Sequence, residues 1–271
     1  MSWLDLEGKA AIVTGGASGI GKACCEGLAE VGVHILIADV NKESGTEVAK
    51  DLANRFGVKC IFQTVDVSDQ KSVDVMIRVA LDAFKHIDIL VNNAGILIPR
   101  LLVDPAGKEE LSEDVWDKVV AINQKGIFLC AQAAGRVMVK QGNGVIVNMA
   151  SESGLEGSEG QSVYAGTKGA IYALTRSWAK ELGKHGVRVV GVAPGILEVT
   201  ALRSPEYERA LAYARGITVE QLRAGYAKIS IPLGRSGKLN EVADLVCFLA
   251  SNRGSYIHGT TINISGGKSR A

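Results

Sequence analysis

Short apolar runs rich in Val and Ile alternate along the chain with longer stretches whose apolar residues recur at three- and four-residue spacing. This is the pattern of parallel strands joined by helical crossovers. The runs predict seven strands, over 11–14, 34–38, 59–65, 87–91, 144–149, 188–192 and 261–264. Most are continuously hydrophobic, as strands covered on both faces must be. Helices are predicted over 20–31, 42–56, 70–84, 113–139, 163–182 and 240–249, with Asn41 and Ser68 at N-cap positions. Right-handed crossovers then give an α/β fold, a doubly wound seven-stranded parallel sheet in three α/β/α layers. No repeat or composition break divides residues 1–271, so a single domain is expected. Two segments interrupt the alternation: 96–112, with Pro99, Pro105 and Gly107, and 195–237, with two short helical patterns. Both follow the C-terminal end of a strand, the edge where open α/β sheets bind ligands, which suits substrate lids.

Composition narrows the function. The 271 residues carry 30 Lys+Arg against 29 Asp+Glu, a net charge of +1, with the signs interspersed. That leaves no field for gripping a nucleic acid or an anionic membrane surface, and small-molecule binding moves forward. The longest stretch free of Asp, Glu, Lys and Arg, 254–267, is shorter than the ~20 residues a spanning helix needs, so no membrane segment is expected. Asp5 and Glu7 precede any apolar run, unlike a signal peptide, and a cytoplasmic location is expected. The five cysteines are an odd number without metal-ligand spacing; they read as reduced packing residues, and no metal site is expected.

The segment Thr14-Gly15-Gly16-Ala17-Ser18-Gly19-Ile20-Gly21 lies between the first strand and the first helix. Glycines there let the backbone turn tightly and approach a pyrophosphate at the helix N-terminus, which makes Gly15, Ser18, Gly19 and Ile20 cofactor candidates in a Rossmann-type fold. Asp39 ends the second strand about 20 residues further on, where a carboxylate accepts hydrogen bonds from a ribose hydroxyl pair and repels a 2′-phosphate. Its other reading is a helix cap, for which Asn41 competes. No Lys or Arg lies within the glycine loop or directly after Asp39, with Lys42 the nearest, so NAD is favoured over NADP. Asp66-Val67 stands open between an adenine contact and a strand-to-helix turn. Asn93-Ala94-Gly95 could brace the fourth strand's end and line the ribose path.

Tyr164 and Lys168, four residues apart in a helical run, share one face. Ser151 comes 13 positions before Tyr164, just past the fifth strand, and Asn123 lies in the long helix preceding that strand. Taken in order, the glycine loop, Asn92-Asn93-Ala94-Gly95, Asn123, Ser151, Tyr164-x-x-x-Lys168 and Pro194-Gly195 resemble the short-chain dehydrogenase/reductase superfamily across essentially the whole chain. The resemblance implies an NAD(P)-dependent interconversion of alcohol and carbonyl. Tyr164 would be the acid/base, Lys168 would bind the ribose, Ser151 would hold the substrate oxygen and Asn123 would position a relay water. Pro194, Gly195 and the backbone around Ile196 and Leu197 would serve the nicotinamide, while Thr200 stands one residue later than is usual in the family. The family also implies a homotetramer formed through helices 113–139 and 163–182. A tyrosine of pKa ~10 must fall by ~3 units to act as a base near neutrality, ~4 kcal/mol. An ammonium ~4 Å away at an effective dielectric of ~20 supplies about that, so Lys168 is expected to lower the Tyr164 pKa. Ser153 is assigned to the pocket wall or to loop solvation.

Three stretches, Pro99-Arg-Leu-Leu-Val-Asp104, the glycine- and serine-rich run from Ser151 to Ser162, and Ile217-Thr-Val-Glu-Gln-Leu-Arg223, go further. With Ile122-Asn-Gln-Lys-Gly126 they are similar to the branch of the family that interconverts sorbitol 6-phosphate and fructose 6-phosphate with NAD. A phosphorylated polyol or ketose needs many hydrogen-bond partners and a cation. Glu152, Glu156, Glu159 and Gln161 are offered to hydroxyls. Among Arg100, Arg203, Arg209, Arg215 and Arg223, the phosphate is expected at Arg100 and Arg203, which lie close to strand ends. A 3-oxoacyl thioester or another polyol is the alternative within enzymes, and Tyr207, Tyr213 and Tyr226 keep an apolar pocket open. Outside enzymes the alternative is a dinucleotide-sensing scaffold without chemistry.

Overall fold

The strands expected from the apolar runs all form, within a residue or two of their expected bounds: β1 Ala10–Thr14, β2 His34–Asp39, β3 Cys60–Thr64, β4 Ile89–Asn92, β5 Gly144–Met149, β6 Val187–Pro194 and β7 Thr261–Ile264. They make one parallel sheet in the order β3-β2-β1-β4-β5-β6-β7. The chain is seen as a computed structural model that describes residues 3–200, 203–227 and 231–269. The central strands β1, β4 and β5 are buried along their whole length, which is why their sequences lack polar alternation.

Helices cover both faces. α1 (Gly19–Glu30), α2 (Lys42–Phe56) and α10 (Leu239–Ala250) pack Cys24, Leu28, Leu52 and Val246 against Ile35, Val91 and Val147. On the opposite face α3 (Gln70–Phe84) and the long helices that follow pack Met76, Ala80, Cys130 and Met138 against Ile12, Leu36 and Ile146. Burial pushes the Cys130 and Cys247 thiols up to about 12, which suits packing groups and not nucleophiles.

Two local expectations are corrected. The helix expected over 113–139 is interrupted: α4 (Glu113–Val120) passes through a π-helical turn, Ala121–Lys125, into α5 (Gly126–Gln141). At that turn the Asn123 amide bonds both backbone groups of Ile96, at 2.8 Å each. One residue on, Gly126 lets the helix approach Val67 so closely that a Cβ would sit 2.7 Å from its Cγ2. The extra residue of the π turn is the local accommodation of these two contacts. Asn41 caps α2 as expected, accepting from Ser44 N, but Ser68 does not cap α3. Ser68 donates to Asp66 Oδ1 through both N and Oγ, while the Asp69 carboxylate accepts from Lys71 N and Ser72 N; a carboxylate serves the positive helix end better than a hydroxyl.

Strand order reverses between β1 and β4, so the glycine loop after β1 and Asn93–Gly95 after β4 face each other across the crevice that a doubly wound sheet opens at its C-terminal edge. β5 leads through a short α6 (Ser153–Glu156) into α7 (Ser162–Leu182). β6 leads into the second excursion, which carries α8 (Pro205–Ala214) and α9 (Val219–Ala227). Ser204 caps α8 through Tyr207 N, and Pro205 follows in the first turn, where its missing N–H costs nothing. The excursion is closed at its base by Gly237 N to Ile196 O and Glu198 N to Gly237 O. Its tip is tied to the first excursion by Tyr213, whose hydroxyl sits 3.0 Å from both oxygens of Asp104. Among the described residues no helix is long and apolar enough to cross a membrane.

Candidate active site

The glycine loop is built by close packing. A Cβ on Gly15, whose φ is +64°, would lie 2.9 Å from Ala94 Cα and from Asn93 Nδ2; Gly19 also takes positive φ, at +52°. Across the crevice Asn93 Nδ2 donates to Thr14 O and Gly15 O at 3.1 Å, and Thr14 Oγ1 accepts from Asn93 N and Ala94 N. The Asn93 side chain thus fastens the loop to the end of β4. Ser18 stands at the N-cap of α1 without a side-chain capping bond, and the first turn has no acidic residue. The leading amides of α1 are left for an anion, as a pyrophosphate site requires.

A cleft of about 250 Å³ runs from this loop past the ends of β2 and β3. Gly15, Ser18, Gly19 and Ile20 line one wall, Ala94 and Gly95 another, and Asp39, Asp66 and Val67 the far end. Asp39 is not a helix cap: its carboxylate accepts from Ala17 N and Asn41 N, 3.0 Å each, and so presents a fixed negative edge. Asp66 forms the strand-to-helix turn through Ser68 and also borders the cleft. The charged residues of this lining are the two aspartates. Two carboxylate acceptors suit the hydroxyls of a ribose diol and would repel an added phosphate.

A second cleft of about 420 Å³ adjoins the first, sharing Ile20, Asn93, Gly95 and Thr200 with it. Ser151, Tyr164 and Lys168 line it together, as do Pro194, Gly195 and Leu197. Gly195 must be glycine, since a Cβ would meet Ser265 Cβ at 2.7 Å and Glu152 Oε2 at 2.8 Å. Thr200 lies beside Gly19 and borders both clefts, despite its one-residue offset from the family's usual place. Ser153 is more than loop solvation: its hydroxyl is 3.0 Å from Ser151 Oγ, and the Ser151 carbonyl is held by the Tyr172 hydroxyl.

The electrostatics differ from expectation. Burial pushes the Tyr164 phenol up, partly offset by its hydrogen bond with the Ser151 hydroxyl, so the expected downward shift is not found. Lys168 Nζ donates to Met149 O at 2.7 Å and lies 5.7 Å from the Tyr164 ring centre. Burial also lowers the Lys168 pKa to about 8.

Asn123 is brought near but not into the cleft. It is fully buried behind it, with its amide satisfied by Ile96 and reaching Thr167 Oγ1 at 3.4 Å. Arg100 is a clearer departure: it pairs with Glu109 at 2.7 Å, donates to Pro99 O, and does not line the cleft. Arg203 does line it. Arg209 and Arg223 are neutralised by Glu206 and Glu208 on the excursion itself. Tyr207 and Tyr213 turn their hydroxyls to Gln161 and Asp104, and the side chain of Tyr226 lies outside the described residues.

Glu152 and Glu156 sit in the wall, joined by a residue the sequence reading missed. Lys268 reaches Glu152 Oε1 at 2.7 Å and Glu156 Oε2 at 3.5 Å. Burial raises the Glu152 pKa, and Lys268 opposes the rise. Gly266 and Gly267, both at positive φ, turn the chain there directly after β7. A lysine following two glycines at the C-terminal edge of the sheet was the available signal.

The short chain dehydrogenase family model matches residues 9–210. The chain is 55% identical over 272 residues to sorbitol-6-phosphate 2-dehydrogenase of Klebsiella pneumoniae, covering 99% of both chains. It is 38% identical over 265 residues to a 3-oxoacyl-acyl-carrier-protein reductase of Thermotoga maritima, covering 97% of this chain and 99% of the other. Among solved structures, a putative short-chain alcohol dehydrogenase from Sinorhizobium meliloti 1021 superposes with a TM-score of 0.87 at 32% identity, over 98% of each chain. With the sheet order, the glycine loop and the paired clefts already described, these matches make the chain an oxidoreductase belonging to the short-chain dehydrogenase family.

Proposed function

We propose that this enzyme interconverts sorbitol 6-phosphate and fructose 6-phosphate, and that the nicotinamide dinucleotide implied by its family and fold is NAD. The observation that carries the reading is the meeting of Ser151, Tyr164 and Lys168 in one cleft that continues into the glycine-loop cleft. A sensor without chemistry would have no use for that meeting. The sugar phosphate is supported by the relative from Klebsiella pneumoniae and by a wall that carries Glu152, Glu156, Arg203, Arg215 and Lys268, a charged lining ill suited to an acyl chain. NAD is supported by the acidic end of the first cleft at Asp39 and Asp66.

A bound nicotinamide would supply the hydride acceptor for oxidation and the hydride donor for reduction. Tyr164 takes the hydroxyl proton in oxidation and supplies it in reduction. Ser153 can donate to Ser151 Oγ, which leaves Ser151 its own hydrogen for the substrate oxygen, where negative charge grows in the transition state. Lys168, fixed by Met149 O, places a positive charge one helical turn from the phenol and would hold the ribose. Asn123 is a positioning residue that sets the Ile96 backbone and the π turn.

The purified protein should reduce fructose 6-phosphate with NADH, followed by nicotinamide absorbance, and prefer NADH to NADPH. Faster turnover of a 3-oxoacyl thioester would transfer the assignment to acyl reduction, and equal use of NADPH would remove the Asp39 argument. We further propose a homotetramer paired through the outer faces of α5 and α7, where Phe128 stays 41% exposed beside Trp178. Light scattering should give a four-chain mass; a monomer in solution would refute the pairing.

A further inference from the structure

Three of the arginines are poor partners for a substrate phosphate: Arg100 is held outside the cleft, and Arg209 and Arg223 are spent on neighbouring glutamates. Arg215 differs. It lines the cleft, and among the described residues it is in no ion pair; its guanidinium reaches Ser158 Oγ at 3.3 Å. It also sits where the fold is firmly braced. Arg215 caps the C-terminal end of α8, where a cation is favoured, with its N–H bonded to Leu211 O and Ala212 O. Gly216, at φ +61°, turns the chain immediately after it. α8 is anchored at Tyr207 by Gln161 and at Tyr213 by Asp104. The loop carrying Ser158 packs on the same helix: a Cβ on Gly160 would strike Ala214 Cβ at 2.6 Å. Two segments distant in sequence thus bring a guanidinium and a hydroxyl to one spot on the cleft wall.

We propose that Arg215, assisted by the Ser158 hydroxyl, is the phosphate-binding residue of this enzyme and the source of its discrimination between phosphorylated and free sugars. A guanidinium has several donors in a fixed plane, so bonding one serine leaves others for phosphate oxygens, and the serine can turn its own hydrogen to the same anion. The inference rests on the sugar-phosphate reading of the substrate.

The test compares fructose 6-phosphate with fructose in the wild type and in Arg215→Ala, Arg215→Lys and Arg203→Ala. In the wild type, kcat/KM should favour fructose 6-phosphate strongly. Arg215→Ala should lose about 100-fold on fructose 6-phosphate, mostly through KM, and leave fructose within about twofold. Arg215→Lys should recover part of the loss, and inorganic phosphate should compete with fructose 6-phosphate in the wild type but not in Arg215→Ala. Thermal unfolding and unchanged NADH binding show that the variant is folded. If the wild type treats the two sugars alike, the sugar-phosphate reading itself fails. If it discriminates but Arg215→Ala keeps that discrimination, or Arg203→Ala alone abolishes it, the reading stands and the Arg215 assignment is overturned.

Discussion

Phenylalanine at position 164 should lower kcat by about 10³-fold and leave dinucleotide affinity unchanged. The substitution removes one oxygen and keeps the ring, so the clefts retain their shape. It takes away the group that hydrogen-bonds with Ser151 and can move a proton to or from a substrate oxygen beside it. The pH profile gives a second readout. Burial raises the phenol, so Tyr164 keeps its proton through neutrality and can supply it to a ketone. Lys168, lowered to about 8, is charged below that pH and loses its charge as pH rises through it. Ketone reduction should therefore be full below about pH 8 and decline above it. Stopped-flow turnover and dinucleotide fluorescence measure the variant. Retention of more than about a tenth of wild-type turnover would sink the role of the phenol, and reduction that stays flat far above pH 8 would sink that of the ammonium.

The second large effect is expected from Gly21→Ala, a change of one methyl group. The new Cβ would overlap the Gly15 carbonyl oxygen and sit 2.5 Å from Asn93 Nδ2. Neither obstacle is the loose end of a side chain: one is backbone, and the other is the amide that fastens Thr14 and Gly15 to β4. Relief requires moving the turn that would receive the pyrophosphate. A destabilisation of about 3 kcal/mol is expected, a fall of ~6–12 °C in Tm, together with loss of dinucleotide binding. Gly225→Ala, in α9 with nothing within 4 Å of its Cβ, is the control and should change stability by no more than ~1 kcal/mol. Normal NADH binding by Gly21→Ala would contradict the close-packed loop.

How far the site could be read in advance depended on whether its signals were local. Strands such as β5 declare themselves because both faces are buried, and the glycine loop because its packing demands are written in consecutive residues. Tyr164 and Lys168 share a helix face by spacing alone. The π turn could not be read, since it answers to Ile96 and Val67, which belong to other elements. Nor could the fate of the arginines: Arg100 looked well placed near a strand end, yet Glu109, nine residues on, claims it. Lys268 and Glu152 stand 116 positions apart, so their pairing exists only in the folded chain. The Tyr164 pKa failed for a related reason, because the cost of burying a phenol depends on what surrounds it and not on its spacing from a lysine.

The link between Tyr213 and Asp104 ties the two excursions together. The Asp104 carboxylate is held at about 2 by the amides of Glu109, Lys108 and Ala106 and by the Tyr213 hydroxyl, so ordinary acidity does not loosen the knot. The backbone bonds between Ile196, Glu198 and Gly237 pinch the larger excursion at its root, while β6 stays locked in the sheet. A displacement of α8 would then be transmitted through Tyr213 and Asp104 to the 104–110 turn. Residues remote from the reacting atoms thereby couple the two excursions to each other.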